Sequence, residues 1–138
     1  MAIPLPVPAP ARTPENDQFW NATADGHLLL AQCDECATVI WYPRALCQTC
    51  ASLSVSWIEA SGQGVVYSFT VVHRNSGSFG GAVPYVLAYV ELAEGPRVLT
   101  NVVGCDPETV HIGQPVRVAF FDTGEGSALY RFEPAEEP

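Results

Sequence analysis

Two Cys-x-x-Cys pairs in the first half of the chain constrain its fold more than any other feature. The first pair is Cys33 and Cys36, the second is Cys47 and Cys50, and ten residues lie between the pairs. Each pair predicts a tight turn whose two sulfurs can take two corners of a tetrahedron, the ligand geometry of Zn²⁺. A four-cysteine iron site uses the same turns, so zinc and iron both stay open. Because four thiolates leave no free coordination position, we expect the ion to hold structure and not to catalyse.

Redox chemistry is a weaker interpretation of these pairs. A thioredoxin-like site needs a helix directly after the pair, and no helical pattern follows Cys36 or Cys50. The fifth cysteine, Cys105, follows a predicted strand and has no histidine or lysine near it in sequence. We interpret it as a small buried residue.

The charge of the chain limits its partners. Its 138 residues carry 15 acidic side chains against 6 arginines and no lysine, for a formal net charge of −9. Such a surface repels phosphate backbones and anionic membranes, so neither nucleic acid nor a membrane is expected as a partner. The apolar runs are too short to span a bilayer, and no export signal is recognisable. We therefore expect a cytoplasmic protein, where reduced cysteines serve as metal ligands.

Proline, glycine and charge patterns divide the chain into four segments. Residues 1–12 form a flexible proline-rich arm, 13–60 a short helix plus the zinc ribbon, 61–134 a barrel, and 135–138 an acidic tail. Thr13 as N-cap and Pro14 in the first turn predict a helix over 14–24. This helix places Phe19 and Trp20 along one edge. Their aromatic side chains either pack against the ribbon or contact a partner.

Strand patterns then follow in order. Ribbon strands are predicted at 27–32 and 39–42. After a glycine-rich boundary at 61–64, runs rich in β-branched and aromatic residues predict five strands, at 65–73, 85–92, 97–103, 116–121 and 128–132. Five is the strand count of an OB-fold, and 106–110 can hold the helical turn common between its third and fourth strands. The predicted fold is mainly β: a short N-terminal helix, a rubredoxin-like zinc ribbon and a five-stranded OB-fold barrel.

The loop that follows the first barrel strand is the second candidate site. It runs from His73 to Ala82 and combines a cation, small flexible residues and one aromatic side chain. Arg74 can meet a phosphate and Phe79 an apolar chain, although the loop can equally be a plain mobile connection. No histidine stands in a motif that couples it to a nucleophile or a carboxylate, so no catalytic residue is predicted.

The order of these motifs resembles a known family, the thiolase-associated zinc-ribbon/OB-fold proteins catalogued as domain of unknown function thirty-five. The resemblance covers residues 13–134. It rests on Phe19-Trp20, a leucine-rich strand entering the first cysteine pair, Tyr42-Pro43-Arg44, the second cysteine pair, Gly62 to Phe69, Pro84-Tyr85, Asn101 to Gly104, Ile112 to Val116 and Phe132 to Pro134. Ala37 departs from the pattern, because many relatives carry glycine after the second cysteine.

The resemblance implies a non-catalytic accessory subunit. Such proteins dock on thiolase-like enzymes of the lipid-transfer-protein type as dimers of heterodimers, help shape the acyl-CoA channel, and leave catalysis to the partner. We favour a steroid side-chain aldolase as that partner, with a true acyl-CoA thiolase or an acyltransferase as the alternative. In the aldolase systems the domain often follows a hydratase domain, so the proline arm is either a linker remnant or a natural start. The candidates for contact with the partner or with acyl-CoA are Phe19, Trp20, Trp41, His73, Arg74 and Phe79.

Two further functions stay open from the sequence. Zinc ribbons and OB barrels both bind nucleic acids in other proteins, although this chain has no basic groove for a phosphate backbone. An independent small enzyme that acts through Cys105 or a histidine is the other alternative.

Overall fold

The computed structural model describes residues 4–136 and divides their strands between two sheets. The elements in chain order are α1 (Asp17–Ala24), β1 (Leu29–Cys33), β2 (Val39–Ile40), β3 (Val55–Glu59), β4 (Gln63–Val72), β5 (Tyr85–Leu92), β6 (Arg97–Val102), β7 (Pro115–Asp122) and β8 (Ala128–Pro134). Short 3₁₀ helices lie at Gly77–Ala82 and Pro107–Thr109. The first sheet has the order β2-β1-β3, and the second is a closed barrel with the order β4-β5-β6-β8-β7. The predicted fold class is confirmed, including the helical turn between the third and fourth barrel strands.

A reciprocal pair of hydrogen bonds closes the turn that precedes the helix. The Asn16 amide donates to the Thr13 hydroxyl at 3.3 Å, and the Thr13 amide donates to Oδ1 of Asn16 at 2.7 Å. This is the arrangement of a capping box, with asparagine in the place of the usual glutamate or glutamine. A turn over residues 14–16 follows, and α1 begins at Asp17 instead of at the predicted residue 14.

The ribbon sheet has β1 at its centre. Ala31 on β1 pairs with Ile40 on one side and with Trp57 on the other. The outer strand β3 is absent from the strands predicted from the sequence, because its five residues show only partial burial with no clean alternation. Trp57 of β3 packs against the small buried cluster that contains Cys33 and Cys47. The third strand therefore covers the cysteine pairs.

The barrel closes through two close approaches of backbone. At one seam Gly64 of β4 pairs with Leu92 of β5 and with Val116 of β7, so that β4 is paired with a strand on each side. A Cβ on Gly64 would lie 2.7 Å from the carbonyl oxygen of Glu91, and this contact requires glycine. At the other seam β6 and β8 pair in parallel through Val102 and Phe132.

The barrel core consists of the inward side chains of alternating strand positions. Its fully buried members are Val66, Val86, Val90, Val98, Val116 and Phe132. Helix α1 packs against β8, β7 and β1 and lies between the barrel and the ribbon. The Thr23 hydroxyl accepts a 3.0 Å hydrogen bond from the Ala128 amide at the start of β8, which fixes the helix to the barrel.

The segments that flank the two sheets also make contacts. Residues 4–12 contain no helix or strand, and the Arg131 side chain donates a hydrogen bond to the Pro6 carbonyl. The first three residues of the predicted arm and the last two of the predicted tail lie outside the described residues. Ala135 donates to the Pro115 carbonyl at 3.0 Å. Within residues 4–136, no helix has the length and apolar character needed to cross a membrane.

Candidate metal centre and partner surface

The four cysteines predicted as metal ligands meet at one point of the ribbon. Their sulfur atoms all lie within 4.8 Å of one another. The Sγ atoms of Cys33 and Cys50 are 3.5 Å apart, and those of Cys36 and Cys47 are 3.6 Å apart. A tetrahedral zinc ion with Zn–S bonds of about 2.3 Å separates its sulfurs by about 3.8 Å. The donor set and its spacing therefore fit a Zn²⁺ ion held by four thiolates.

The two cysteine turns repeat one backbone geometry. Ala37 donates its amide hydrogen to the carbonyl of Cys33 at 3.0 Å, and Ala51 donates to the carbonyl of Cys47 at 2.9 Å. Both alanines have a left-handed backbone, with φ of 62° and 63°. Glycine adopts this conformation at the lowest cost. This chain carries alanine in both turns.

Hydrogen bonds shift the pKa values of two of the cysteine thiols in opposite directions. The side chain and amide of Thr38 lower the pKa of Cys36 to about 6. The Ser52 amide acts to lower the pKa of Cys50, but the hydrogen bonds with Cys33 and Cys36 outweigh it and raise that pKa to about 12. The raised pKa of Cys50 thus keeps the proton on this thiol at neutral pH. The four cysteines would hold a divalent cation as thiolates, and its positive charge would favour their ionised form.

Two of the three aromatic residues singled out in the N-terminal half are buried. Phe19 is completely buried and Trp20 is 5% exposed. The Phe19 ring lies 5.5 Å from the half-buried Trp41 and 6.0 Å from Tyr130, and the Trp20 ring stacks on Tyr130 at 6.0 Å. The chain itself covers Phe19 and Trp20, so the structure favours their packing role over contact with a partner. They pack against the barrel strand β8 as well as against the ribbon.

Tyr42 and Tyr130 complete this aromatic cluster, and no pattern in the sequence pointed to Tyr130. The Tyr42 hydroxyl accepts hydrogen bonds from Trp20 and Asn16. Burial raises the pKa of Tyr130, and the neighbouring Tyr42 raises it further. We call Phe19, Trp20, Trp41, Tyr42 and Tyr130 the aromatic cluster, and it joins the helix, the ribbon and the barrel.

The glycine-rich loop holds the remaining candidate residues. His73 and Arg74 are exposed, whereas Phe79 is half-buried with its ring 5.8 Å from that of Tyr85. The Asn75 side-chain amide donates to the Tyr85 hydroxyl at 2.6 Å, and the 3₁₀ helix Gly77–Ala82 follows. The loop thus presents two polar side chains to solvent while its aromatic residue packs against the start of β5.

The residues considered for an independent active site are not gathered by the fold into a catalytic arrangement. Burial raises the pKa of Cys105, which makes its thiol a poorer nucleophile at neutral pH. Nδ1 of His27 contacts the Glu59 carboxylate at the ribbon, and Nδ1 of His111 lies 3.2 Å from the Thr109 carbonyl. Neither histidine is hydrogen-bonded to a cysteine, serine or threonine side chain among the described residues.

Two family models match consecutive parts of the chain, and their boundary lies within β3. Residues 20–56 match the model described as ChsH2, rubredoxin-like zinc ribbon domain, and residues 57–121 match ChsH2, C-terminal OB-fold domain. A DUF35 domain-containing scaffold protein of Methanocaldococcus jannaschii is 34% identical over 125 residues, which cover 85% of this chain and 89% of the relative. The chain belongs to the DUF35 family. Its zinc ribbon and its OB-fold are each similar to a domain described for ChsH2.

A solved member of the family has the same architecture. The structure described as Ltp2-ChsH2(DUF35) aldolase superposes with a TM-score of 0.83 and 34% sequence identity, covering 91% of this chain and 98% of that chain.

Two further relatives have names that refer to CoA thioesters. A probable enoyl-CoA hydratase alpha subunit of Thermomonospora curvata is 36% identical over 129 residues, which cover 93% of this chain and 40% of the relative. The chain thus spans about two fifths of that relative's length. The benzoylsuccinyl-CoA thiolase subunit BbsA of Geobacter metallireducens is 31% identical over 93 residues, covering 63% of this chain and 62% of the relative. Members of the family are therefore subunits of thiolase and aldolase complexes.

Proposed function

We propose that this chain is a non-catalytic accessory subunit that docks on a thiolase-like enzyme and helps form its acyl-CoA channel. The observation that carries the proposal is the match, over nearly its whole length, to the DUF35 chain of a solved aldolase. A relative that is a subunit of a CoA-thioester thiolase points to the same class of partner. The proposed complex is a cytoplasmic dimer of heterodimers.

The chemistry of the ribbon agrees with a supporting role. Four cysteines would hold the zinc ion and leave no position for a substrate. The ion would only stabilise the fold, because the free energy of metal binding at such a site is also free energy of folding. The buried residues of the ribbon would hold β1 and the two cysteine turns together, and the aromatic cluster would join the ribbon to the barrel.

An aldolase is our first choice of partner enzyme. The solved relative, aligned over 98% of its length, is a chain of a structure described as an aldolase, and the resemblance noted from the sequence favours the steroid side-chain type. A true acyl-CoA thiolase or an acyltransferase is the alternative, favoured by the thiolase subunit among the relatives. On either choice, His73 and Arg74 are the exposed residues that would border the acyl-CoA channel, since Arg74 can pair with a phosphate of CoA.

Co-expression tests this proposal directly. The chain would be produced with a tagged thiolase-like protein encoded in the same genome and analysed by affinity capture followed by light scattering. We expect co-purification with the mass of two copies of each chain, and cleavage or transfer activity on acyl-CoA only when both chains are present. Separate elution, with no change in the solubility or rate of the thiolase-like protein, would refute the proposal. Turnover of acyl-CoA by this chain alone would refute its non-catalytic role.

A further inference from the structure

The outward side of strands β4, β5 and β6 is unusually apolar. Five large apolar residues on it are between 38% and 48% exposed: Val65, Tyr67, Leu87, Tyr89 and Leu99. We call this surface the outer barrel face. Alternate residues of the same strands, such as Val86 and Val90, fill the barrel interior. An antiparallel sheet with one solvated side normally carries polar residues there, so the pattern indicates a surface that is covered in the functional state.

Strand register makes these residues neighbours. Tyr89 of β5 lies directly opposite Leu99 of β6, and Leu87 lies opposite Thr70 of β4. A shallow apolar depression of about 240 Å³ has Leu87, Tyr89 and Leu99 among its walls. Leu87, Tyr89 and Leu99 therefore form one continuous apolar surface with a recess that a partner side chain can fill.

A positioned arginine lies at the edge of the outer barrel face. The Arg97 guanidinium stacks 3.8 Å above the centre of the Tyr67 ring, and its Nε donates to Glu91 at 3.0 Å. Tyrosine and arginine are enriched among the residues that dominate protein interfaces, and apolar centres with polar rims are the usual anatomy of such interfaces. Because Arg97 is already held by two contacts, little side-chain entropy would be lost on binding.

The size of the face suits the centre of a stable interface. From their exposed fractions, the five side chains offer on the order of 400 Å² of surface. A standard interface buries about 800 Å² on each partner. The outer barrel face supplies about half of that area, and the polar residues around it would supply the rest.

Charge argues against a second copy of this chain as the occupant. Each copy carries a formal net charge of −9, so pairing two of these faces would bring two strongly acidic molecules together. A different protein with an apolar patch and a neutral or basic rim avoids this repulsion. The thiolase-like enzyme of the proposed function is a partner of this kind if its docking surface is neutral or basic. We expect a surface of that kind on the enzyme.

We infer that the outer barrel face is the surface on which the thiolase-like enzyme docks; the inference rests on the proposed function. Phe19 and Trp20 of the aromatic cluster are unavailable for this purpose, because they are 0% and 5% exposed. The glycine-rich loop begins where Val72 of β4 pairs with Tyr85 of β5, at one end of the same strand pair. Docking on the outer barrel face would therefore bring His73 and Arg74 towards the partner as well.

A matched pair of double variants tests the inference. Tyr89→Ser with Leu99→Ser removes the centre of the outer barrel face. Leu53→Ser with Ile112→Ser removes two apolar residues that are 79% and 67% exposed and lie outside it. Circular dichroism and zinc content would establish that both proteins fold. We expect the face variant to weaken binding to the thiolase-like enzyme about tenfold or more in calorimetric titration, and the control to change it less than about twofold.

Other outcomes overturn the inference in distinguishable ways. If the parent chain binds the enzyme and the folded face variant binds equally well, docking uses another surface and the proposed function stands. If the parent chain does not bind the enzyme, both proposals fail together. If sedimentation shows that the parent chain forms a dimer which the face variant dissolves, the face serves self-association.

Discussion

The indole Nε1–H of Trp20 donates a hydrogen bond of 2.8 Å to the hydroxyl oxygen of Tyr42. Trp20 belongs to α1 and Tyr42 follows β2, so this bond joins the helix to the ribbon. The side-chain amide of Asn16 donates to the same oxygen at 3.1 Å. Both donor residues are only 5% exposed, and the Tyr42 ring packs edge-on against Phe19 and Trp41. One hydroxyl group therefore satisfies two buried donors.

Replacing Tyr42 by phenylalanine should destabilise the protein while it leaves the ring in place. Two buried donors would lose their acceptor, and we expect the free energy of unfolding to fall by about 1–2 kcal/mol. Urea unfolding followed by tryptophan fluorescence measures this change. The control is Tyr67→Phe, because the Tyr67 hydroxyl is exposed and has no hydrogen-bond partner among the described residues. Its effect should stay within about 0.5 kcal/mol, and equal effects of the two variants would show that the Tyr42 hydroxyl is not needed.

Local patterns were enough to predict most of the fold. Strand β5 matches its predicted bounds at Tyr85–Leu92, because its residues alternate cleanly between the core and the outer barrel face. The cysteine spacing likewise predicted which four sulfurs converge. Both signals are short-range: a period of two residues in a strand, and a turn of four residues around a metal ligand.

The features that escaped prediction depend on contacts between distant parts of the chain. An aromatic pair such as Phe19 and Trp20 looks the same in sequence whether it faces a partner or its own core. What buries it is Tyr130, which lies more than a hundred residues further along the chain. Strand β3 was missed for a related reason: its burial comes from packing on the cysteine turns and not from its own pattern. The outer barrel face became visible only when register placed Tyr89 beside Leu99.

Glycine at the two left-handed positions should stabilise the ribbon. Ala37 and Ala51 have φ near +60°, which costs an L-residue about 1–2 kcal/mol, whereas glycine enters this region freely. The greater freedom of glycine in the unfolded chain offsets part of the gain, so each substitution should raise the unfolding free energy by about 0.5–1 kcal/mol. The comparison is Ala31→Gly, a buried position within β1, which should destabilise instead. Destabilisation by Ala37→Gly as large as that by Ala31→Gly would contradict the strain argument.

Loss of one cysteine ligand should release the metal and unfold the ribbon. Cys47 is buried at the metal centre, and Cys47→Ser removes a thiolate from a closed set of four. We expect zinc to fall from about one ion per chain to almost none, because a four-thiolate site loses both its charge balance and its geometry. Trp57 packs against Cys33 and Cys47, so its fluorescence should shift towards that of an exposed indole.

The matched control for this variant is Cys105→Ser. Cys105 is half-buried beside the barrel core and takes no part in the group of four sulfurs. Metal content measured by elemental analysis should therefore equal that of the parent chain. Retention of the ion by Cys47→Ser, or iron in place of zinc in the parent chain prepared under reducing conditions, would overturn this assignment of the site.

Tyr130 should make the protein sensitive to alkali. Burial raises the pKa of Tyr130 in the folded protein above its ordinary value, so above about pH 10 the unfolded chain releases this proton while the folded protein keeps it. The unfolded state then binds fewer protons, and the free energy of unfolding falls as pH rises, by at most about 1.4 kcal/mol per pH unit. Urea unfolding from about pH 8 to about pH 11 measures the slope.

Two phenylalanine variants isolate the contribution of Tyr130 to this alkaline slope. Tyr130→Phe removes the titrating hydroxyl but keeps the ring that stacks on Trp20, so the decline in stability above about pH 10 should become shallower. Tyr89→Phe removes a hydroxyl from a ring that is 46% exposed on the outer barrel face, and its alkaline slope should follow that of the parent chain. If both variants keep the parent slope, burial of Tyr130 does not control the alkaline transition. A shallower slope only in Tyr130→Phe would establish that the aromatic cluster excludes water where the helix, the ribbon and the barrel meet.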